Sequence, residues 1–280
     1  MIRFKKVVII GTGLIGGSLG LALKRQRLAG QIIGFSRQPK NARLAQKLGA
    51  IDQIGKSLAE VEDADLVILA TPVETIMELA GKIAQRIKPD CLVIDVGSSK
   101  ERIVSKLSAL IPNFLGCHPL SGSEKKGVAN LEGSIFKGAI CVLTPTTKTN
   151  PQTLDKIKWL WKKIGARVVI LSAKKHDQLL GFTSHLPHAV AFSLMRSIPE
   201  QGLALTASGL RDSTRISSSD EHLWSEIFLS NRDNLLKALA IFQSNLSALK
   251  LALKSKDKIR LRKFILSANQ KRNMLLRLSR

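Results

Sequence analysis

Cysteine is scarce. Three in 280 residues, with no C-x-x-C spacing, provide no disulfide framework and no thiolate metal site. Cys91, Cys117 and Cys141 are odd in number, and two of them sit in strand-like apolar runs. They are expected to be buried free thiols of a reducing compartment, which makes the cytoplasm the expected location. Clustered His, Cys and Asp ligand spacings are also missing, so no metal is expected. No apolar run reaches the length of a membrane span, and Met-Ile-Arg-Phe leads directly into a strand-like stretch with no visible signal or transit peptide. Acid is in short supply: 21 Asp and Glu against 44 Lys and Arg leave a net charge of +23. Residues 231–280 alone hold thirteen basic residues against two aspartates. That balance permits nucleic-acid binding, but no helix-turn-helix, zinc, RRM or OB pattern accompanies it, and aromatics are only 4% of the chain. No nucleic-acid or membrane partner is expected. The charge reads as a solvated basic surface, or as a field that draws in an anionic cofactor and substrate.

What is present begins with Lys5-Lys6-Val7-Val8-Ile9-Ile10, a strand-like run that enters Gly11-Thr12-Gly13-Leu14-Ile15-Gly16-Gly17-Ser18. A lone G-x-G-x-x-G is weak evidence. Placed between a buried strand and a helical pattern (Leu14, Leu19, Leu21, Leu23), it points to dinucleotide binding. Gly11 would allow the tight turn, Gly13 the approach of the pyrophosphate, and Gly16 close packing of helix on strand. The helix N-terminus, at Leu14 and Ile15, would face the phosphates. About twenty residues on, where NAD-binding versions carry an acidic ribose ligand, the chain has Ser36-Arg37. A guanidinium suits a 2′-phosphate, so NADP is the expected cofactor, with NAD the alternative. Arg37 stacked on adenine as a solvated loop residue would suit either.

Strand-like runs then alternate with helical patterns: 66–70, 92–95, 114–117, 139–143 and 167–171. Strands spaced by helices imply a doubly wound parallel α/β sheet of Rossmann type. From about Ser172 strand signals vanish, which divides the chain into a dinucleotide-binding domain, 1–171, and an all-α substrate and dimerisation domain, 172–280. In the latter, Leu235, Leu239, Phe242, Leu246, Leu249 and Leu253 recur at spacings of 4, 3, 4, 3 and 4. This heptad-like seam is too short for a free coiled coil and is expected to pair two copies in a homodimer.

Ligands of open α/β sheets bind at the carboxyl ends of strands. Candidates there are Thr71-Pro72, Asp95–Lys100, and the stretch from Cys117 to Glu124. His118, flanked by Pro119 at a strand end, is placed as a general base for a hydroxyl that loses hydride, or is structural. In the helical half, Ser184-His185-Leu186-Pro187-His188 would bind a carboxylate or serve only in capping and packing. Arg215 would fork a substrate carboxylate or make a surface salt bridge.

The set G-x-G-L-I-G-G-S at 11–18, D-V-G-S-S-K at 95–100, H-P-L-S-G-S-E-K-K-G at 118–127, S-H-L-P-H-A-V-A at 184–191 and D-S-T-R-I at 212–216 resembles the prephenate/arogenate dehydrogenase family of tyrosine biosynthesis. The motifs fall in the family's order from residue 5 to about 260. The chain resembles the short form, with no chorismate mutase or ACT regulatory domain expected. The resemblance implies oxidative decarboxylation of prephenate or arogenate, with hydride passing to NAD(P). It makes His118 the base that takes the ring hydroxyl's proton, and Ser98 its hydrogen-bonding neighbour. Arg215 becomes the carboxylate anchor and His188 a second pocket histidine. Ser123 stands where relatives often have Thr, and Trp224 matches a pocket aromatic that the family can draw from the partner subunit. Rival readings are another Rossmann-plus-helical dehydrogenase, such as a β-hydroxyacid dehydrogenase or pyrroline-5-carboxylate reductase, and a non-enzymatic basic binding protein.

Overall fold

The computed structural model describes residues 3–121 and 127–278. It comprises two compact units, Met1–Arg232 and Asp233–Arg280.

The first unit opens with β1 (Phe4–Ile10), α1 (Leu14–Arg25), β2 (Ala29–Phe35), α2 (Pro39–Lys47) and β3 (Gln53–Ile54). It continues through β4 (Leu66–Leu69), α3 (Val73–Ala84), β5 (Leu92–Asp95), α4 (Glu101–Leu110) and β6 (Phe114–Leu120). β7 (Ile140–Thr144), α5 (Pro151–Lys163) and β8 (Arg167–Ile170) complete the sheet, whose order is β3-β2-β1-β4-β5-β6-β7-β8. The order reverses at β1 and β4. The connections from these two strands depart in opposite directions and leave a crevice at their carboxyl ends.

The central strands are covered on both faces, which is why they read as unbroken apolar runs. Val7, Ile9, Leu66, Ile68 and Ile94 pack to one side with Leu19, Leu23 and Trp161. Val8, Val67, Leu69 and Val93 pack to the other with Ile76, Ile83, Ile103 and Leu107. Each such fully buried aliphatic side chain contributes about 1.5–3 kcal/mol relative to exposure.

The expected all-parallel sheet is corrected at one place: β6 and β7 pair antiparallel, with Cys117 opposite Leu143 and His118 opposite Val142. The described part of the connection between them holds only a short 3-10 turn, Val128–Asn130, and no α-helix. Without a crossover helix to return the chain to the sheet's starting end, the next strand runs back alongside. All three cysteines are buried and free.

Beyond β8 the described chain is helical: α6 (Ala173–Leu180), a π-helical turn (Gly181–His185), α7 (Leu186–Ser197), α8 (Ser208–Thr214) and α9 (Glu221–Ser230). Ser172 caps α6, its hydroxyl accepting from the Lys175 amide at 3.2 Å.

The second unit consists of the helices α10 (Arg232–Lys254) and α11 (Lys258–Leu278). Asp257 caps α11 by accepting from the Arg260 amide at 2.9 Å. Of the α10 seam, Leu235 is buried, Leu239, Phe242 and Leu249 are half-buried, and Leu246 and Leu253 are 48% and 58% exposed. Among the described residues no helix is long and apolar enough to cross a membrane.

Candidate active site

A cavity of about 830 Å³ opens at the crevice beyond β1 and β4. One wall is the glycine loop. Gly11 has φ of +106°, and a Cβ there would lie 2.4 Å from the Ala70 carbonyl oxygen, so the turn requires glycine. Its amide and that of Thr12 donate to the Phe35 carbonyl at 2.9 and 3.0 Å, which ties the loop to the end of β2. A Cβ on Gly16 would meet the Gly11 carbonyl oxygen at 2.0 Å, so α1 sits directly on the loop. A Cβ on Gly13, by contrast, would meet nothing within 4 Å among the described residues. Gly13, Leu14 and Ile15 line the cavity, and the first-turn amides of a helix have no partner within the helix. Thr12 Oγ1 and Thr71 Oγ1 are buried without a hydrogen-bond partner among the described residues. Open space over a glycine, unpaired helix amides and two orphaned hydroxyls suit a dinucleotide pyrophosphate.

The opposite wall comes from the ends of β5 and β6. Asp95 and Lys100 form an ion pair in which both side chains are fully buried. Lys100 Nζ also donates to the Cys117 carbonyl at 2.9 Å, and Asp95 accepts from the Gly97 amide at 2.8 Å. The pair thereby ties the segment carrying Ser98 to the strand carrying His118. Losing either partner would leave an uncompensated buried charge, at a cost of about 3–5 kcal/mol. Ser98 and His118 both line the cavity. His118 Nδ1 lies 2.8 Å from His176 Nε2, and His176 Nδ1 lies 2.7 Å from Asp177 Oδ1. Burial holds the His118 pKa well below the usual histidine value, and the nearness of His176, Lys100 and His185, which disfavours adding a positive charge here, acts in the same direction.

The third wall is helical. His188 stacks on Trp224 with ring centroids 3.4 Å apart, and its Nδ1 bonds the Ser184 carbonyl at 3.0 Å. Burial lowers its pKa, and Arg215 lowers it further. Arg215 itself is exposed at the cavity rim. His185 is buried, with a pKa pushed down to about 4 chiefly by desolvation. Asn231 Nδ2 donates to the Asp177 carbonyl at 2.8 Å and faces His185 Nδ1 at 3.0 Å. A carbonyl only accepts, so the amide nitrogen is the atom that faces His185, and His185 carries its proton on Nε2.

The model of the prephenate dehydrogenase nucleotide-binding domain matches residues 19–170, and that of the prephenate dehydrogenase dimerization domain matches residues 172–266. The chain belongs to the prephenate dehydrogenase family. It is 37% identical over 241 residues to prephenate dehydrogenase of Bacillus subtilis, which covers 82% of this chain and 65%, under two thirds, of that relative. With the cyclohexadienyl dehydrogenase of Zymomonas mobilis, identity is 32% over 267 residues, covering 92% of this chain and 91% of the relative. The crystal structure of prephenate dehydrogenase from A. aeolicus, in complex with hydroxyphenyl propionate and NAD+, superposes with a TM-score of 0.92 at 36% identity. It covers 98% of this chain and 99% of that one.

Most of the residues nominated by the fingerprint, by strand-end position or by the resemblance converge on the cavity: Gly13, Leu14, Ile15, Thr71, Pro72, Ser98, His118, His188, Arg215 and Trp224 all line it. Gly11 and Gly16 lie beneath the loop rather than in the lining. Ser36 and Arg37 follow β2 outside the lining; Arg37 is exposed, and Ser36 Oγ accepts from the Gln38 amide at 3.2 Å. Ser123 lies outside the described residues. Trp224 lines this chain's own cavity, stacked on His188 of the same chain. The sequence reading missed His176, Asp177 and Asn231. The His176-Asp177 dipeptide in the middle of α6 was the available signal, but nothing local says that it meets His118, 58 residues away.

Proposed function

We propose that the chain oxidises prephenate, arogenate or both, with loss of CO2 and hydride transfer to a nicotinamide dinucleotide, as a step of tyrosine biosynthesis. The observation that carries this reading is His118: its Nδ1 is engaged by His176, and its ring lines the same cavity as the glycine loop. The dinucleotide supplies the hydride acceptor. His118 takes the proton of the ring hydroxyl as hydride leaves the carbon that bears it, and Ser98 orients that hydroxyl. Arg215 anchors a substrate carboxylate at the rim, and His188, braced flat on Trp224, contacts the substrate beside it. Ser123 adds a hydroxyl near the ligand. Loss of CO2 restores aromaticity and drives the oxidation forward, so orientation, one base and carboxylate anchoring suffice.

Ser36-Arg37 is read as a 2′-phosphate site that favours NADP, with NAD the alternative. Residues 172–280 form the substrate and dimerisation part, in which α10 and α11 pair two copies. The exposed Leu246 and Leu253 support that pairing. Three free thiols support work in the reducing cytoplasm.

Turnover of prephenate and arogenate by the purified chain, each with NAD and with NADP, tests the reading. Turnover of at least one pair is expected. Inactivity with all four combinations would overturn it.

A further inference from the structure

We propose that His176 and Asp177 set the tautomer of His118, so that a lone pair and not a proton of its imidazole faces the cavity. The inference rests on the reading of His118 as the base.

The direction of every bond in the chain is fixed from its far end. Asp177 Oδ1 accepts from the Lys100 amide at 2.8 Å, and Oδ2 accepts from the Glu101 amide at 2.9 Å. These amides belong to the opening of α4, whose N-terminus favours negative charge. Asp177 is therefore an ionised acceptor, and the His176 nitrogen 2.7 Å from it is a donor. A neutral imidazole has one donor and one acceptor nitrogen. With its proton on Nδ1, His176 has a lone pair on Nε2, which faces His118 Nδ1 at 2.8 Å. His118 Nδ1 must donate, so His118 Nε2 carries the lone pair. An unconstrained neutral histidine more often protonates Nε2, so this tautomer has to be imposed. The Asn231 side chain, donating to the Asp177 carbonyl, holds the Asp177 backbone in place.

Two consequences follow. Before reaction, His118 is an acceptor without having to rearrange. When the substrate proton arrives at Nε2, the O–H bonding electrons stay on the substrate oxygen and His118 becomes a cation. Its Nδ1–H then leans on His176, and through it on the Asp177 anion. His176 and Asp177 are not among the residues that line the cavity; they act through His118 and are positioning residues.

The test is histidine nitrogen NMR on the ligand-free chain, combined with kinetics. Wild type should show His118 as the Nδ1–H tautomer. His176→Leu should turn it to Nε2–H and lower kcat at least a hundredfold, with KM and dinucleotide Kd within about threefold. His176→Gln places an amide oxygen near the former Nε2 position; it should keep the Nδ1–H tautomer and hold kcat within about tenfold of wild type. Finding Nε2–H in wild type, or His176→Leu retaining a third of kcat, would overturn the proposal, as would equal losses in the Leu and Gln variants. The NMR signal needs no turnover. An inactive wild type with the Nδ1–H tautomer would therefore sink the assigned reaction and leave the positioning role standing.

Discussion

His118→Asn is the sharpest test of the site. Asparagine places an amide nitrogen near the former Nδ1, so the contact to His176 Nε2 and the strand pairing to Val142 survive. What disappears is the acceptor at the Nε2 position. A positioned general base is worth about 10²–10⁴ in rate, which at 1.36 kcal/mol per tenfold is about 2.7–5.4 kcal/mol of barrier. The pH profile carries a second signature. Burial, His176, Lys100 and His185 keep His118 well below 6.5, so the free base is fully available at and above that pH. In wild type, kcat/KM should stay flat from neutrality down and fall only as pH drops through the lowered pKa. In the variant that acid limb should vanish. Stopped-flow absorbance of the reduced nicotinamide gives both quantities, and tryptophan fluorescence checks that the dinucleotide still binds. A variant with more than a third of wild-type kcat, or with the acid limb intact, would refute the role.

Arg215→Ala should raise KM about tenfold or more with a smaller change in kcat, since a carboxylate fork is made in ground and transition states alike; steady-state titration of substrate checks this. Arg37→Ala should weaken NADP by about tenfold and NAD by less than twofold. That estimate is the low end of a charge-assisted hydrogen bond, taken because Arg37 is exposed, and an unchanged NADP/NAD ratio would reject it. Sedimentation at micromolar concentration should show a dimer, and Leu246→Glu with Leu253→Glu should shift it towards monomer. His185, moved from 6.5 to about 4, stays neutral in the fold while the unfolded chain protonates, so its stability contribution is complete above pH 6.5 and lost on acidification. Urea unfolding at pH 7.5 and pH 4 should differ by about 3 kcal/mol from this group, and His185→Gln should flatten that slope.

The sequence by itself determined the parts whose signals are local. The β1–glycine–α1 fingerprint, the apolar strands and the change to helix after Ser172 are patterns within ten or twenty residues, because strand burial and helix periodicity act at that range. The motifs around His118, Ser98, His188 and Arg215 stood out at strand ends and helix starts, but local pattern left their roles open, and only the resemblance to the family assigned them. Other features depended on contacts between distant segments. The antiparallel turn of β7 followed from a connection that contains no crossover helix among its described residues, a property of the whole loop. Trp224 reached its own chain's His188 because α9 and α7 lie beside each other, which neither helix's sequence states. The sequence could name His118 but not choose which of its nitrogens serves. That depended on tertiary structure, because a tautomer is set by the partner across a hydrogen bond, and the partners here, His176 and Asp177, lie 58 and 59 residues further along the chain.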